Sequence, residues 1–305
     1  MIDHYLKFSK LLIIIITIIF IDPGILWSQK NFYRHFETEE DSLHTLFNLI
    51  EKNKNDSQKI NLNKIVIEIL DATLNDDLSF TYPFDSLKHL GKITSPDKLF
   101  RIYTWNLVFN DGSYKYFGFI QYYREKRNEY IVYQLHDNSN NIINPENVTL
   151  EPMNWYGALY YEIIKNKYSR RTYYTLLGWD GNNDLTRKKV IDVLRFGSSG
   201  KPAFGANIFK FDKKKRKRIF FEYSAKTNMT LTYNEKHDMI VFDHLSPSES
   251  SYKGLYQYYG PDFSYDAMYF DKGKWQLVKD VDVRNPRMKL PKGKWHYNRK
   301  EDFVK

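Results

Sequence analysis

The chain has 305 residues, a formal charge of +9 and no cysteine. Without cysteine there are no disulfides, zinc ribbons, thiol nucleophiles or lipid-modified cysteine anchors, so stability rests on a packed core. Aromatic residues make up 17% of the chain, many of them Tyr and Phe, which favour strands and half-buried faces.

The N-terminus reads as a secretory signal peptide over 1–28. Lys7 and Lys10 precede an apolar run from Leu11 to Ile21, interrupted only by Thr17. Asp22-Pro23-Gly24 breaks the run, and Ser28 supplies a small residue before Gln29. That apolar core is short for a bilayer span. An uncleaved anchor extended through Ile25-Leu26-Trp27 is the competing reading, opposed by the charge and helix breaker inside it. The expected location is therefore outside the cytoplasm, in the periplasm or at the cell surface, with membrane contact only through the signal peptide.

Residues 29–77 are expected to hold a helical hairpin. Thr38 with Asp41 resembles a capping box, and Leu43, Leu46, Phe47 and Ile50 share one helical face. After the polar break Lys52–Asp56, Leu62, Ile65, Val66, Ile69 and Leu70 repeat the spacing, with Asn61 as the expected cap. Two such stripes must pack on something, and the β region is the available surface.

Residues 78–283 change to a period of two. Arg101–Phe109 and Tyr114–Tyr123 flank Asn110-Asp111-Gly112, a strong hairpin turn, and Tyr130–Leu135 follows. Trp155–Ile164 should pair with Arg171–Trp179 across Lys165-Asn166-Lys167. Asp180–Asn183 turns into Lys188–Phe196, and Gly197–Gly200 turns into a strand over Ala203–Phe211. That strand should hairpin with Arg218–Tyr223 across Lys213–Lys217. Met229–Tyr233 with Asp238–Phe242, and Ala267–Phe270 with Trp275–Val278, complete the series. The expected fold is mainly β, an antiparallel meander forming a curved or barrel-like sheet, with a β-propeller as the alternative. Residues 284–305 read as a basic tail.

The candidate sites compete with ordinary turn chemistry. Lys213–Arg218 reads first as a solvated hairpin tip and second as a contact for an anionic envelope glycan. Export argues against nucleic acid. Asp180-x-Asn182-x-Asp184 has the oxygen spacing of a calcium loop but lacks its glycine and terminal glutamate. Asp243-His244 ends an apolar strand, and the aromatic stretch Tyr258–Asp266 carries Asp262 and Asp266. Paired carboxylates cleave glycosides, and aromatic faces stack on sugars. His136-Asp137 ends a strand in the same manner, but no His spacing suits a metallohydrolase. Gly197-Ser198-Ser199-Gly200 is not a nucleophile elbow, and Gly200-Lys201-Pro202 is not a phosphate loop, so no cofactor is expected.

The stretches Ser95-Pro96-Asp97-Lys98-Leu99-Phe100-Arg101-Ile102-Tyr103-Thr104-Trp105-Asn106 and Tyr173-Tyr174-Thr175-Leu176-Leu177-Gly178-Trp179-Asp180-Gly181-Asn182 resemble exported, β-rich bacterial envelope proteins that have no assigned activity. The resemblance implies an envelope location and a β-rich fold, and brings no catalytic residues. The expected role is a monomeric binding or structural module, acting on a glycan or an envelope protein. The alternative is a polysaccharide hydrolase using Asp243, Asp262 or Asp266, with His244 beside them.

N-terminal sequencing of the exported protein should begin at Gln29 or within a few residues of it. Met1 intact on an integral membrane species would show the anchor reading instead.

Overall fold

In the computed structural model, residues 33–211 and 214–282 are described. The expected signal peptide, the tail 284–305 and Lys213 of the basic tip lie outside them.

Two helices come first, α1 (Arg34–Lys52) and α2 (Asp56–Leu74). In α1, Phe36, Leu43, Phe47 and Ile50 are buried at the spacing of one helical face. Asn55 caps α2 by accepting the Gln58 N–H at 3.0 Å, so Asn61, the expected cap, lies inside the helix. Thr38 likewise falls inside α1, which starts one turn earlier than its spacing suggested. Among the described residues, no helix is long and apolar enough to cross a membrane.

The chain then builds three sheets. The first is a sequential antiparallel meander of β1 (Gly91–Thr94), β2 (Phe100–Val108), β3 (Tyr114–Arg124) and β4 (Glu129–His136). The second begins with β5 (Leu159–Tyr168), β6 (Arg171–Asp180), β7 (Thr186–Phe196) and β8 (Pro202–Phe204). A short hairpin, β9 (Phe209–Phe211) and β10 (Lys214–Arg216), crosses to the third sheet. The chain returns to the second as β11 (Ile219–Ser224), beside β7. The third is completed by β12 (Leu231–Asn234), β13 (Met239–Pro247), β14 (Tyr259–Asp271) and β15 (Lys274–Val278). β9 runs parallel to β15, and every other strand pair among the described residues is antiparallel.

The mainly β reading with an N-terminal helical hairpin therefore holds, but the described strands form no closed barrel. They stack instead, in the order helices, first sheet, second sheet, third sheet. The alternation of side chains across each strand explains the stacking. Tyr103, Trp105, Leu107 and Phe119 of the first sheet pack on the helices, while Phe100, Ile102 and Ile120 face the second sheet. In the second sheet, Tyr174, Leu176, Val190 and Leu194 face the first, whereas Leu177, Ile191 and Val193 face the third. Both faces of two sheets are thus buried. Trp275 of β15 closes the last interface, donating its indole N–H to Thr175 Oγ1 at 2.9 Å.

Three local expectations are corrected. Ala203–Phe211 is two strands, because Gly205 stands at φ +91°, a left-handed conformation that breaks an extended run. The turn after β5 falls at Ser169, leaving Lys165–Lys167 in the strand. Asn166 is buried there and accepts the Thr175 hydroxyl, and Lys165 pairs with Asp97 at 3.0 Å. The basic segment is not one solvated tip between paired flanks. β9 pairs with β10, and Arg218, fully buried, bonds Asp192 at 2.7 Å and draws β11 into the second sheet.

The helices are fastened by polar groups. Glu40 of α1 accepts the Tyr82 hydroxyl, the Ser86 N–H at 2.6 Å and the Ser86 hydroxyl at 2.7 Å. Burial opposes the Glu40 charge, but these donors and the nearby Lys92 hold its carboxyl below the usual range. A lowered folded-state value gives stability that is present above the ordinary carboxylate range and is lost as pH falls through the folded value. Glu40→Gln should destabilise the protein at neutral pH by about 1–2 kcal/mol. It should also lessen the loss of stability on acidification, as read by urea unfolding from pH 7 to pH 3. An unchanged acid limb would remove Glu40 from this role.

The Arg218–Asp192 pair is the second check. Arg218→Ala strands a buried carboxylate and should cost about 3–5 kcal/mol in denaturant unfolding. The double substitution Arg218→Met/Asp192→Leu should recover much of that loss. Additive losses would show that the two side chains do not act as a pair.

Candidate functional site

A cleft of about 450 Å³ opens where the ends of the first and second sheets meet the loop after β4. The Asp180 carboxylate, 5% exposed, lies at its base. It accepts the Tyr116 hydroxyl at 2.9 Å, the Tyr156 hydroxyl at 2.7 Å and the Asn182 N–H at 2.8 Å. Burial pushes both phenols up, and the Asp180 charge pushes them further, so they remain protonated donors. The Tyr116 oxygen in turn accepts the Gly181 N–H at 2.6 Å.

Two glycines permit this packing. A Cβ on Gly181 would stand 2.4 Å from the Tyr114 ring, and one on Gly157 would stand 2.5 Å from Tyr116. Gly157 also approaches Asp137, whose carboxylate takes the Ser139 hydroxyl and the N–H groups of Tyr116, Ser139 and Gly157. Asp137 is therefore a fixed structural acceptor in the cleft wall.

The opposite wall is more open. Glu222 on β11 accepts the Thr186 hydroxyl at 2.7 Å and the Asn182 amide at 3.4 Å, both at Oε1. Its Oε2 takes no hydrogen bond among the described residues. Lys188 on β7 donates to Asn182 Oδ1 at 2.8 Å and stands 4.0 Å from Asp180. Phe220 and Tyr256 add apolar ring surface, and Tyr114 lines the near side. Glu146 at the rim is paired with Arg216. The cleft thus carries four carboxylates, from Asp137, Glu146, Asp180 and Glu222, against Lys188 and the paired Arg216.

The expected calcium spacing divides between two places. Asp180 and Asn182 reach the cleft, whereas the Asp184 carboxylate lies against Gly112 in the β2–β3 turn. Both Asp180 oxygens already serve protein donors. No group of three or more His, Asp or Glu that could hold a metal stands among the described residues.

The other candidates gather on the third sheet, away from the cleft. Tyr258–Asp266 is largely strand: β14 starts at Tyr259 and pairs with Leu245–Pro247 beyond a bulge at Asp243. The bulge brings His244 against Asp266, with Nδ1 2.9 Å from its carboxylate, while Nε2 stands 4.0 Å from Asp262. Asp266 also accepts the Asp280 N–H at 3.1 Å. Asp262 accepts both the N–H and the hydroxyl of Ser264. Burial alone would raise its pKa, yet those bonds and His244 lower it. Asp243 stands apart, accepting the Thr230 N–H at 2.7 Å. The sheet therefore unites His244, Asp262 and Asp266 as an imidazole between two carboxylates. The Ser264 hydroxyl is turned to Asp262 rather than to His244.

Sequence reasoning touched the cleft at Asp137, Asp180 and Asn182. It missed Tyr116, Tyr156, Lys188 and Glu222, which sit at alternating or pre-strand positions that look like any other in a Tyr- and Lys-rich chain. Comparison with protein-family models, with curated proteins and with solved structures returns no match.

Proposed function

We propose that the protein is an exported glycan-binding module of the cell envelope, taking a neutral, hydroxyl-rich sugar in the Asp180 cleft. The supporting observation is the state of its carboxylates. Asp180 and Asp137 already serve protein donors at both oxygens, so they fix the walls and are ill placed to pass protons. Glu222 Oε2 and the Lys188 ammonium remain to meet ligand hydroxyls beside the Tyr114, Phe220 and Tyr256 rings. Rings with a few placed polar groups suit a sugar, apolar on its faces and polar at its edges. Export is supported by the Lys7/Lys10, Leu11–Ile21, Ser28 layout.

The acidic balance of the cleft favours neutral glycans over anionic ones. An anionic glycan or an envelope partner would be met outside the cleft, for example at Lys215 and Lys217. Hydrolysis is less well supported, because His244, Asp262 and Asp266 do not line the cleft and the His244 imidazole between the two carboxylates is engaged by Asp266.

Isothermal titration of the mature protein against maltohexaose, cellohexaose, chitohexaose, mannohexaose and a hyaluronan hexasaccharide tests the reading. At least one neutral hexamer should bind and be recovered uncut, and Glu222→Ala should weaken it by roughly tenfold. Binding of hyaluronan alone would overturn the charge argument, cleavage would establish the hydrolase, and no binding at all would sink the glycan reading.

A further inference from the structure

We infer that the ligand of the cleft is a chain of sugars rather than a single one, and that a second aromatic surface outside the cleft holds its extension. The inference rests on the glycan reading above. Its basis is the short segment 248–259, which leads from β13 into β14.

Tyr256 lines the cleft. Tyr258, two residues on, stacks on Tyr252 with ring centroids 4.2 Å apart and an interplanar angle of 22°. Tyr256 itself leans on Tyr259, 5.2 Å away. Leu255, Tyr256 and Tyr258 are 51%, 46% and 41% exposed, which gathers three large apolar side chains on the surface within four residues. Large exposed aromatics on a soluble face mark contact surfaces.

The segment is held in shape, so the surface is preformed. Tyr252 N–H bonds Glu249 O at 3.0 Å, Leu255 N–H bonds Tyr252 O at 2.9 Å, and Tyr258 N–H bonds Leu255 O at 3.0 Å. Ser248 N–H bonds Tyr258 O at 3.0 Å and closes the segment on itself. The Tyr259 hydroxyl accepts the Gly254 N–H at 2.9 Å. Tyr256–Tyr258 also packs against β11, the strand that carries Phe220 and Glu222 of the cleft. Rings ordered before binding lose little conformational freedom when a sugar settles on them. One rigid segment therefore supplies a cleft ring and, two residues away, a ring stack outside the cleft. That arrangement suits a ligand with repeated flat faces.

The test is chain length. Each neutral hexasaccharide of the panel, with its dimer, trimer and tetramer, is titrated into the mature wild-type protein, Tyr252→Ala/Tyr258→Ala, Tyr258→Trp and Tyr256→Ala. The hexamer should bind roughly tenfold tighter than the dimer. The double substitution should abolish that advantage and leave dimer affinity and the melting temperature unchanged. Tyr258→Trp should keep the advantage, and Tyr256→Ala should weaken every length. Equal affinity for dimer and hexamer would overturn the extended surface while leaving the cleft reading intact. A length advantage that survives the double substitution would overturn it as well. No binding of any hexamer would remove the cleft reading and this inference together.

Discussion

The buried pair between Arg218 and Asp192 organises the middle of the molecule. Both side chains are fully shielded from water, where an unpaired charge is costly. Arg218 Nε meets Asp192 at 2.7 Å, and Nη1 reaches the carbonyl of Pro145 at 2.6 Å. Asp192 also accepts the Tyr160 hydroxyl, whose oxygen takes the Trp155 indole N–H. The guanidinium carbon lies 5.9 Å from the centre of the Tyr156 ring. One arginine thus ties β11 to β7, pins the loop after β4 and supports the tyrosine that donates to Asp180. The cleft walls at Pro145 and Tyr156 have their positions because this pair has no other place to satisfy its charge.

The cleft inherits rigidity from that support. Two of its carboxylates are held in a hydrogen-bonded frame: two phenols and the Asn182 N–H surround Asp180, and N–H groups with a serine hydroxyl surround Asp137. Desolvation keeps the phenols protonated, so the frame persists over the ordinary pH range. A frame of this kind fixes where ligand groups go.

The third sheet differs in character. Its inner face completes a core with the second sheet through Phe209, Ile240, Met268 and Trp275. Its outer face gathers Met239, Val241, Ala267 and Tyr269 with Val281 in a separate, smaller cluster. The His244–Asp266 contact sits where the β13 bulge turns the strand, and Asp266 reaches on to the Asp280 backbone. The Asp280 N–H to Asp266 and the Val281 N–H to the Tyr265 carbonyl anchor the chain leaving β15 to the sheet.

Local order was largely legible in the sequence. The 3.6-residue stripes of α1 and α2 and the alternation in β2, β3, β6 and β7 follow from which side chains must leave water. The Asn110-Asp111-Gly112 turn is equally local, because only a few residue types accept its backbone angles. What the periodicity could not convey is which strand lies beside which. A β-strand has two edges and two faces, and its pattern is the same whether it joins a neighbour in sequence or a distant one. The split of Ala203–Phe211, the parallel meeting of β9 with β15 and the return of β11 to β7 are therefore tertiary decisions. The site was legible where polar residues end strands or follow them, at Asp137, Asp180 and Asn182. Tyr116, Tyr156, Lys188 and Glu222 come together from four separate segments, and nothing in their immediate neighbours marks them. Arg218 shows the limit most plainly: within a run of lysines and arginines it reads as solvated, and only the buried Asp192 of another strand decides that it is core.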